Sequence, residues 1–433
     1  MAGHDDRIAG HDRRALGSAD VTTARAERSG VAGALGWVAG GSMVANVCAY
    51  LIHLTASRWW LDTAEYGELA VGLTAMLVLT VAALALQAVV ARAVVHHADP
   101  RRIRRVTVQT TIAVCVLVVV AIVPTAWVTS MSIDTTSAAL VAAPMLTVIG
   151  AGQGVLQGHK QFRLLGWVLA AVGVLRTAPL IAALAVGAGP AGALAASASG
   201  IAVAAVVVLY ATRVAPIGSP TPARTALGAG GIGLLGVVQA SGVQLVLVVA
   251  ASVDLLLSRT VLSPDDAGIY ALGAIATKVA FWLPQAVGVV FYPRLADPAT
   301  SRRSLMHAVG VVALIGVILT VGAGLAGPLV PVLVRPDYQP LVPILWLFAY
   351  TGAMLAVLQV ALLSAIARSA TGVSAVTWVV VAAEIAVIVG AVDTIVALAA
   401  TAATAATIAA VTTTVWGLRA QRVDEVVGAA SRE

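Results

Sequence analysis

Residues 68–95 read ELAVGLTAMLVLTVAALALQAVVARAVV. No charged side chain interrupts the run between Glu68 and Arg92, and it exceeds the roughly 20 apolar residues that cross a bilayer as a helix. Lipid admits only helices and closed barrels, because every backbone N–H and C=O must be satisfied within the protein. Continuous apolarity, in place of the alternation of a barrel strand, selects the helix. Comparable runs, bounded by charge or turn residues, recur along the 433 residues. They fall at about 35–57, 68–95, 106–129, 138–157, 164–187 and 191–212, then at 227–257, 267–292, 305–326, 341–366, 372–390 and 394–417. The reading is an all-α integral membrane protein of twelve transmembrane helices. The long 68–95 and 227–257 runs must tilt or extend past the bilayer.

Composition agrees with that class. The chain is 60% hydrophobic and 11% charged, with a mean hydropathy of +0.97; a soluble domain carries about 45–50% apolar and about 25% charged residues. Its net charge of +6 is dispersed between apolar runs, which argues against a nucleic-acid partner and reads as a topology signal. With the amino terminus inside, twenty of the 26 Lys and Arg fall on the inner side. Arg58, Arg259 and Arg335 fall outside, and Arg92, Arg176 and Lys278 lie within spans. The asymmetry predicts a multi-pass protein of the cell membrane with both termini cytoplasmic. Residues 1–33 balance Arg against Asp and Glu and have no apolar core, so they read as a disordered cytoplasmic tail, not a cleaved signal peptide.

Several apparent motifs fail on context. The stretch 228–233, GAGGIG, matches a dinucleotide-binding pattern but opens a span and follows no strand. Gly150, Gly154 and Gly158 stand four apart and read as close helix packing. Pro124, Pro144, Pro179 and Pro284 lie in spans, where they bend helices and free carbonyls. Cys48 and Cys115 sit in apolar segments, so no disulfide framework is expected. No metal cluster or nucleophile constellation is legible. A non-enzymatic protein without cofactor or metal is expected.

The sequence repeats itself at an offset of 201 residues. Residues 57–70, SRWWLDTAEYGELA, align with 258–271, SRTVLSPDDAGIYA, matching Ser57 with Ser258, Arg58 with Arg259 and Gly67 with Gly268. Both stretches lie at the first turn between spans of a six-helix half. They predict two parallel six-helix lobes, an N-lobe over 34–212 and a C-lobe over 227–417. Residues 213–226, with Pro216, Pro220 and Pro222, read as the inter-lobe linker, and 418–433 as a cytoplasmic C-terminal tail.

Ionisable residues inside a membrane are costly and face a cavity or a partner. Arg176, Lys278 and Glu384 fall near mid-span; Arg92 lies toward the inner end of its span and Asp254 toward the outer end of its own. Two cations from different halves suit a large anionic group such as a pyrophosphate, with structural pairing to Glu384 as the alternative. The first span carries a polar stripe of Ser42, Asn46, Tyr50, His53 and Ser57 on one helix face. It lines a cavity or bonds to neighbouring helices. The offset sets His53 opposite Asp254, which predicts a protonation-sensitive contact near the outer gate.

The stretch from Gly40 to Arg92 resembles the opening of bacterial polysaccharide-biosynthesis oligosaccharide flippases of the multidrug/oligosaccharidyl-lipid/polysaccharide (MOP) exporter superfamily. The resemblance is carried by 53–58 (HLTASR), 65–67 (EYG), 87–92 (QAVVAR), 154–158 (GVLQG), 161–162 (QF), 253–254 (VD), 263–270 (SPDDAGIY) and 291–294 (FYPR). It covers about residues 35–300, and the last four helices follow by hydropathy alone. It implies a MATE-like, V-shaped bundle with a central cavity that moves a polyprenyl-pyrophosphate-linked oligosaccharide to the outer leaflet by alternating access. The implied headgroup candidates are Arg176 and Lys278, with Arg92 toward the inner vestibule and Arg58 and Arg259 at the outer rim. Asp254, Glu384 and His53 are the coupling or gating candidates, and the coupling ion, H+ or Na+, stays open. Implied partners are the lipid-linked oligosaccharide, membrane lipids and glycan polymerases or glycosyltransferases. A cation-coupled drug exporter, a lipid II flippase and a non-transporting scaffold of a glycan-assembly complex stand as alternatives.

Overall fold

The computed structural model describes residues 36–214, 234–284, 301–367 and 373–430, without the side chains of 234–236, 238–240, 243, 301, 302, 304, 365–367, 373, 374 and 420–430. The tail 1–33, the linker from 215 onward, and the 228–233 and 291–294 stretches lie outside the described residues. In chain order the helices of the N-lobe are α1 (Gly36–Trp60), α2 (Thr63–Val95), α3 (Pro100–Thr129), α4 (Ile133–Gly158), α5 (Phe162–Ala185) and α6 (Pro190–Val214). Those of the C-lobe are α7 (Leu234–Ala250 and Val253–Val261), α8 (Pro264–Trp282), α9 (Ser301–Ala326), α10 (Leu345–Ala367), α11 (Val373–Ala391) and α12 (Ile395–Ala430). Among the described residues ten helices are long and apolar enough to cross a membrane, and none of these residues forms a strand. The shorter α11 and the charge-bearing α8, with Asp265, Asp266 and Lys278, occupy the remaining two places.

Several boundaries differ from the sequence reading, each for a local reason. α4 begins at Ile133 and breaks at Val141–Ala142, because Pro144 has no N–H to give the Leu140 carbonyl. α7 breaks at Ala251–Ser252, where the Ser252 N–H reaches back only to the Val249 carbonyl, a tight three-residue turn. The expected 227–257 run is therefore two helices. α8 is described as helix to Trp282, and the remainder of the expected run from 285 to 292 lies outside the described residues. α12 continues through most of the expected tail to Ala430, since Leu418, Arg419, Ala420 and Gln421 are good helix formers that prolong a helix already nucleated. Pro179 stays inside α5. It leaves the Leu175 carbonyl without its helical donor, and Gly200 of α6 packs so close that a Cβ there would lie 1.9 Å from that oxygen.

The glycine row of α4 packs as its spacing predicts. Cβ atoms at Gly150, Gly154 and Gly158 would lie 2.4, 2.5 and 2.8 Å from the carbonyls of Ala83, Gln87 and Ala91, themselves four apart on α2. Only hydrogen at those three positions allows α2 and α4 this separation, and dispersion over the shared length replaces the hydrophobic effect that lipid lacks. α5 and α6 pair in the same lobe, and α10 packs between α8, α9 and α12 in the other.

The repeat is visible as geometry. Asp62 caps α2 by accepting the Glu65 N–H at 2.7 Å, and Glu65 accepts the Asp62 N–H at 3.3 Å. At the matching positions, Ser263 caps α8 by accepting the Asp266 N–H at 3.1 Å. Both caps place an acid at the third helical residue, as a capping box requires. The matched glycines meet each other: a Cβ on Gly67 would sit 2.9 Å from the Gly268 nitrogen, and one on Gly268 only 1.7 Å from the Thr63 carbonyl oxygen. α2 and α8 thus cross at the pseudo-twofold. One buried core runs through this end of both lobes, including Ile52, Leu61 and Tyr66 with Leu255, Tyr270 and Tyr338. Contact continues along α2 to Val237 of α7, which joins Val90, Val94 and Val106 in a separate cluster.

Gly268→Ala forces the α2–α8 crossing apart, an overpacking change that costs about 1–3 kcal/mol. A clear fall in melting temperature of the purified protein is the expected result. Gly310→Ala, whose Cβ meets nothing within 4 Å, is expected to leave it unchanged.

Candidate functional site

The residues between the lobes are set by the same crossing. α1 ends in a π-turn, Ala56–Trp60, in which the Leu61 N–H donates to Ala56 O. On the polar stripe, His53 and Ser57 are buried, Ser42 and Tyr50 half-buried and Asn46 exposed. Ser57 turns back on its own helix, its hydroxyl donating to the His53 carbonyl at 2.7 Å. His53 Nδ1 lies 3.0 Å from the Tyr66 hydroxyl of α2. In the other lobe the Tyr270 hydroxyl of α8 donates to Asp254 Oδ2 of α7 at 2.5 Å. Matched positions, His53 and Asp254, therefore each hold a buried tyrosine of the following helix.

The expected contact between His53 and Asp254 is not made: each is committed to its own tyrosine. The repeat places the two residues as counterparts, but each bonds within its own lobe. His53 is nevertheless within electrostatic range of both Lys278 and Arg176. Asp254 is within range of Lys278, and Glu384 of α11 within range of Asp254. Asp254 and Glu384 are both buried, while Arg176 and Lys278 are half-buried. His53, Arg176, Asp254, Lys278 and Glu384 thus form one electrostatic neighbourhood drawn from α1, α5, α7, α8 and α11.

Direct ion pairing does not neutralise this neighbourhood. Among the described residues the ion pair within 4 Å is Arg335–Asp337, in the connection before α10. Lys278 Nζ instead donates across the lobes to Thr74 Oγ1 of α2 at 3.1 Å, and Thr74 in turn donates to Ala70 O. Arg176 Nε is buried without a partner. Beside Lys278, the α7 break and the α8 residues Thr277 and Phe281 enclose a cavity of about 20 Å³, room for one water-sized group; the buried Ser252 hydroxyl there has no hydrogen-bond partner. Cations held by a neutral acceptor, as Lys278 is, or left without one, as Arg176 Nε is, retain hydrogen-bonding capacity and are equipped to receive an anionic oxygen.

Arg58 and Arg259 lie at the Gly67–Gly268 end, and both reach into the opposite lobe. Arg58 Nη1 donates to the carbonyls of Val332, Leu333 and Val334 at 3.1, 2.8 and 2.7 Å. That end of a short C-lobe helix, Val330–Leu333, is where a cation best satisfies orphan carbonyls. Arg259 Nη1 donates to Ala64 O at 2.9 Å, Thr63 bonds Asp265 and Thr260 bonds the Val128 carbonyl. Tyr66 meets Tyr338 edge to face, with ring centroids 6.4 Å apart, and burial pushes the Tyr338 phenol above its ordinary pKa, so it stays neutral. These contacts clasp the two lobes shut at this end. Arg92 is exposed in the last turn of α2, at the opposite end.

Sequence reasoning overlooked Tyr66, Tyr270, Tyr338 and Thr74. Two of them stand inside quoted stretches, as EYG and GIY, but nothing local tells a buried tyrosine with a partner from a core aromatic. Thr74 carries no sequence signal, because its importance comes from the lysine that the other lobe brings to it.

Among solved structures, the chain is similar to an inward-facing multidrug resistance MATE family transporter of the MOP superfamily (TM-score 0.65, 14% identity, covering 88% of this chain and 95% of that one). It is similar to the eukaryotic MATE transporter AtDTX14 (TM-score 0.64, 12% identity, 90% and 97% covered). It is also similar to the lipid II flippase MurJ in an inward closed conformation (TM-score 0.63, 8% identity, 89% and 87% covered). At such identities the likeness establishes the fold, that of the MOP superfamily, and function must be argued from the site. No protein-family model and no curated protein matches the chain.

Tyr270→Phe removes the donor on buried Asp254 and is expected to destabilise the protein by about 1–3 kcal/mol. Tyr350→Phe, which breaks the half-buried bond to Thr407, is expected to cost less. Thermal melts of the two variants in the same detergent make the comparison.

Proposed function

We propose that this protein is a flippase that carries a polyprenyl-pyrophosphate-linked oligosaccharide from the inner to the outer leaflet of the cytoplasmic membrane. The observation that carries the reading is the pair Arg176 and Lys278. They are cations from opposite lobes, in one electrostatic neighbourhood, with no carboxylate within 4 Å among the described residues. A pyrophosphate offers several acceptor oxygens and bridges two such cations, while the polyprenyl tail stays in lipid. The MOP-superfamily fold supports a membrane transporter, and the neighbour MurJ is itself a lipid II flippase.

Alternating access then follows from the two-lobed architecture. The clasp of Arg58, Arg259 and the Gly67–Gly268 crossing closes the outer end, with the cationic pair reached from the basic, cytoplasmic side. Headgroup binding engages both lobes at once, so its release is coupled to breaking the clasp. Arg92 stands at the cytoplasmic mouth, and the stripe from Ser42 to His53 faces the passage. His53, Asp254 and Glu384 are the residues through which H+ or Na+ would bias the lobes. Membrane potential offers a second drive of about 2.3 kcal/mol per charge per 100 mV. Glycan polymerases and glycosyltransferases are the expected partners.

One observation favours a second reading. The buried carboxylates Asp254 and Glu384 suit an organic cation, so a cation-coupled drug exporter of the same fold is the competing function. Reconstitution in liposomes separates the two. Wild type should bind and transfer a fluorescent undecaprenyl-pyrophosphate oligosaccharide. Arg176→Ala and Lys278→Ala should each lower transfer about tenfold or more, the loss of a charge-assisted contact worth about 1.5–3 kcal/mol, with melting behaviour retained. Absence of lipid-linked saccharide binding together with efflux of organic cations would overturn the flippase.

A further inference from the structure

A second cavity lies away from the central charges, at the basic end of the N-lobe. It is a cleft of about 980 Å³ between α3 and α6, floored by α4. The walls are mainly apolar: Val108 and Ile112 on α3, Leu209 on α6, and Val148 and Val155 on the floor, with Thr107, Thr111 and Thr212 among them. Val108, Ile112 and Leu209 are 48%, 58% and 45% exposed, and they stand within spans, where the medium is lipid. Neither Arg176, Lys278, Asp254, Glu384 nor His53 lines the cleft.

Its mouth differs in kind. His97, Arg104, His159 and Lys160 ring the opening. Among the described residues none of the four has a carboxylate within 4 Å. Asp99, also at the mouth, is committed to capping α3 through the Arg101 N–H. His97 and Lys160 adopt left-handed backbone, φ 53° and 57°, each as the residue that turns the chain out of a helix. That position ordinarily falls to glycine, as it does at Gly187, φ 86°, which ends α5. At the cleft the chain keeps a basic or titratable side chain where glycine is the unstrained choice.

From Arg104 at the mouth to Ile112 within, α3 advances eight residues, about 12 Å at 1.5 Å per residue. The cleft is therefore an apolar slot, open toward lipid and rimmed by unpaired positive charge at the depth where headgroups lie. Three threonines cannot satisfy the many polar groups of a sugar or a peptide against walls that are otherwise apolar. We propose that the α3–α6 cleft binds an anionic glycerophospholipid of the adjoining leaflet, with an acyl chain along Val108, Ile112 and Leu209 and the phosphate at Arg104 and Lys160. This inference does not rest on the transport reading, because it uses no residue of the central site.

Native mass spectrometry of the purified full chain, titrated with phosphatidylglycerol or phosphatidylcholine of identical acyl chains, tests it. Retention of one phosphatidylglycerol at least tenfold more tightly than phosphatidylcholine is expected. The exposed double substitution Arg104→Gln/Lys160→Gln should abolish that preference, and Val155→Trp, which fills the floor, should expel the lipid. Arg163→Gln should keep the preference: this basic residue stands at the same end but lies over the Trp37 ring, outside the cleft. Equal retention of the two lipids, an unchanged preference in the double variant, or an equal loss in Arg163→Gln would each overturn the site.

Discussion

The architecture hangs on one steric fact, the absence of side chains where α2 and α8 cross. At Gly67 and Gly268 two backbones meet at a distance that no Cβ would permit. The crossing lies between the helices that begin each repeat's second span, and both are capped at matching residues, Asp62 and Ser263. From that point the rest is constrained. Tyr66 and Tyr270 are carried inward beside His53 and Asp254, Lys278 arrives against Thr74, and Arg58 and Arg259 arrive at carbonyls of the facing lobe. A crossing made by two glycines is also one that little side-chain interlocking opposes. Much of the hold at this end therefore falls to the arginine and tyrosine contacts around it, which are directional and breakable.

The interior charges follow a different logic. In lipid a salt bridge would neutralise Lys278 or Arg176 most directly, and carboxylates lie in the same neighbourhood. Instead Asp254 is tied to Tyr270 and Lys278 to Thr74, and Arg176 Nε has no partner. Removing one member of a tight buried pair strands the other, so a pair would be hard to open for a ligand. Charges balanced at longer range retain hydrogen-bonding capacity, and that property is what the functional proposal uses. Symmetry is broken here too: the repeat places a histidine in one lobe and a carboxylate in the other.

Much of this was legible in the chain. Span number and helical character follow from apolar run length, since a lipid-spanning backbone has no other economical solution. The 57–70 and 258–271 alignment gave the repeat, and its caps and glycines sit where the offset puts them. The Gly150, Gly154 and Gly158 spacing gave the α2–α4 contact. Less legible were the break in α7, which has no proline to mark it, and the helical continuation of α12 past the apolar span. In each case apolarity measures what tolerates lipid, not where the hydrogen-bond ladder stops. The site was half visible: charge inside a span marks Arg176, Lys278, Asp254 and Glu384 without context, whereas Thr74 and Tyr338 are ordinary residues until another lobe meets them.

The medium, the helices, the two-lobed repeat and the identity of the costly residues can be read from the chain, because each depends on the local chemistry of one segment against lipid. Tertiary structure alone decided who meets whom. It gave His53 a tyrosine in place of Asp254, turned Arg58 and Arg259 into clasps, and left a basic-rimmed cleft where α3 stands off from α6. Those outcomes depend on crossing distances fixed by pairs of residues far apart in the chain, such as Gly67 with Gly268 and Gly150 with Ala83, and a one-dimensional pattern carries no record of such distances.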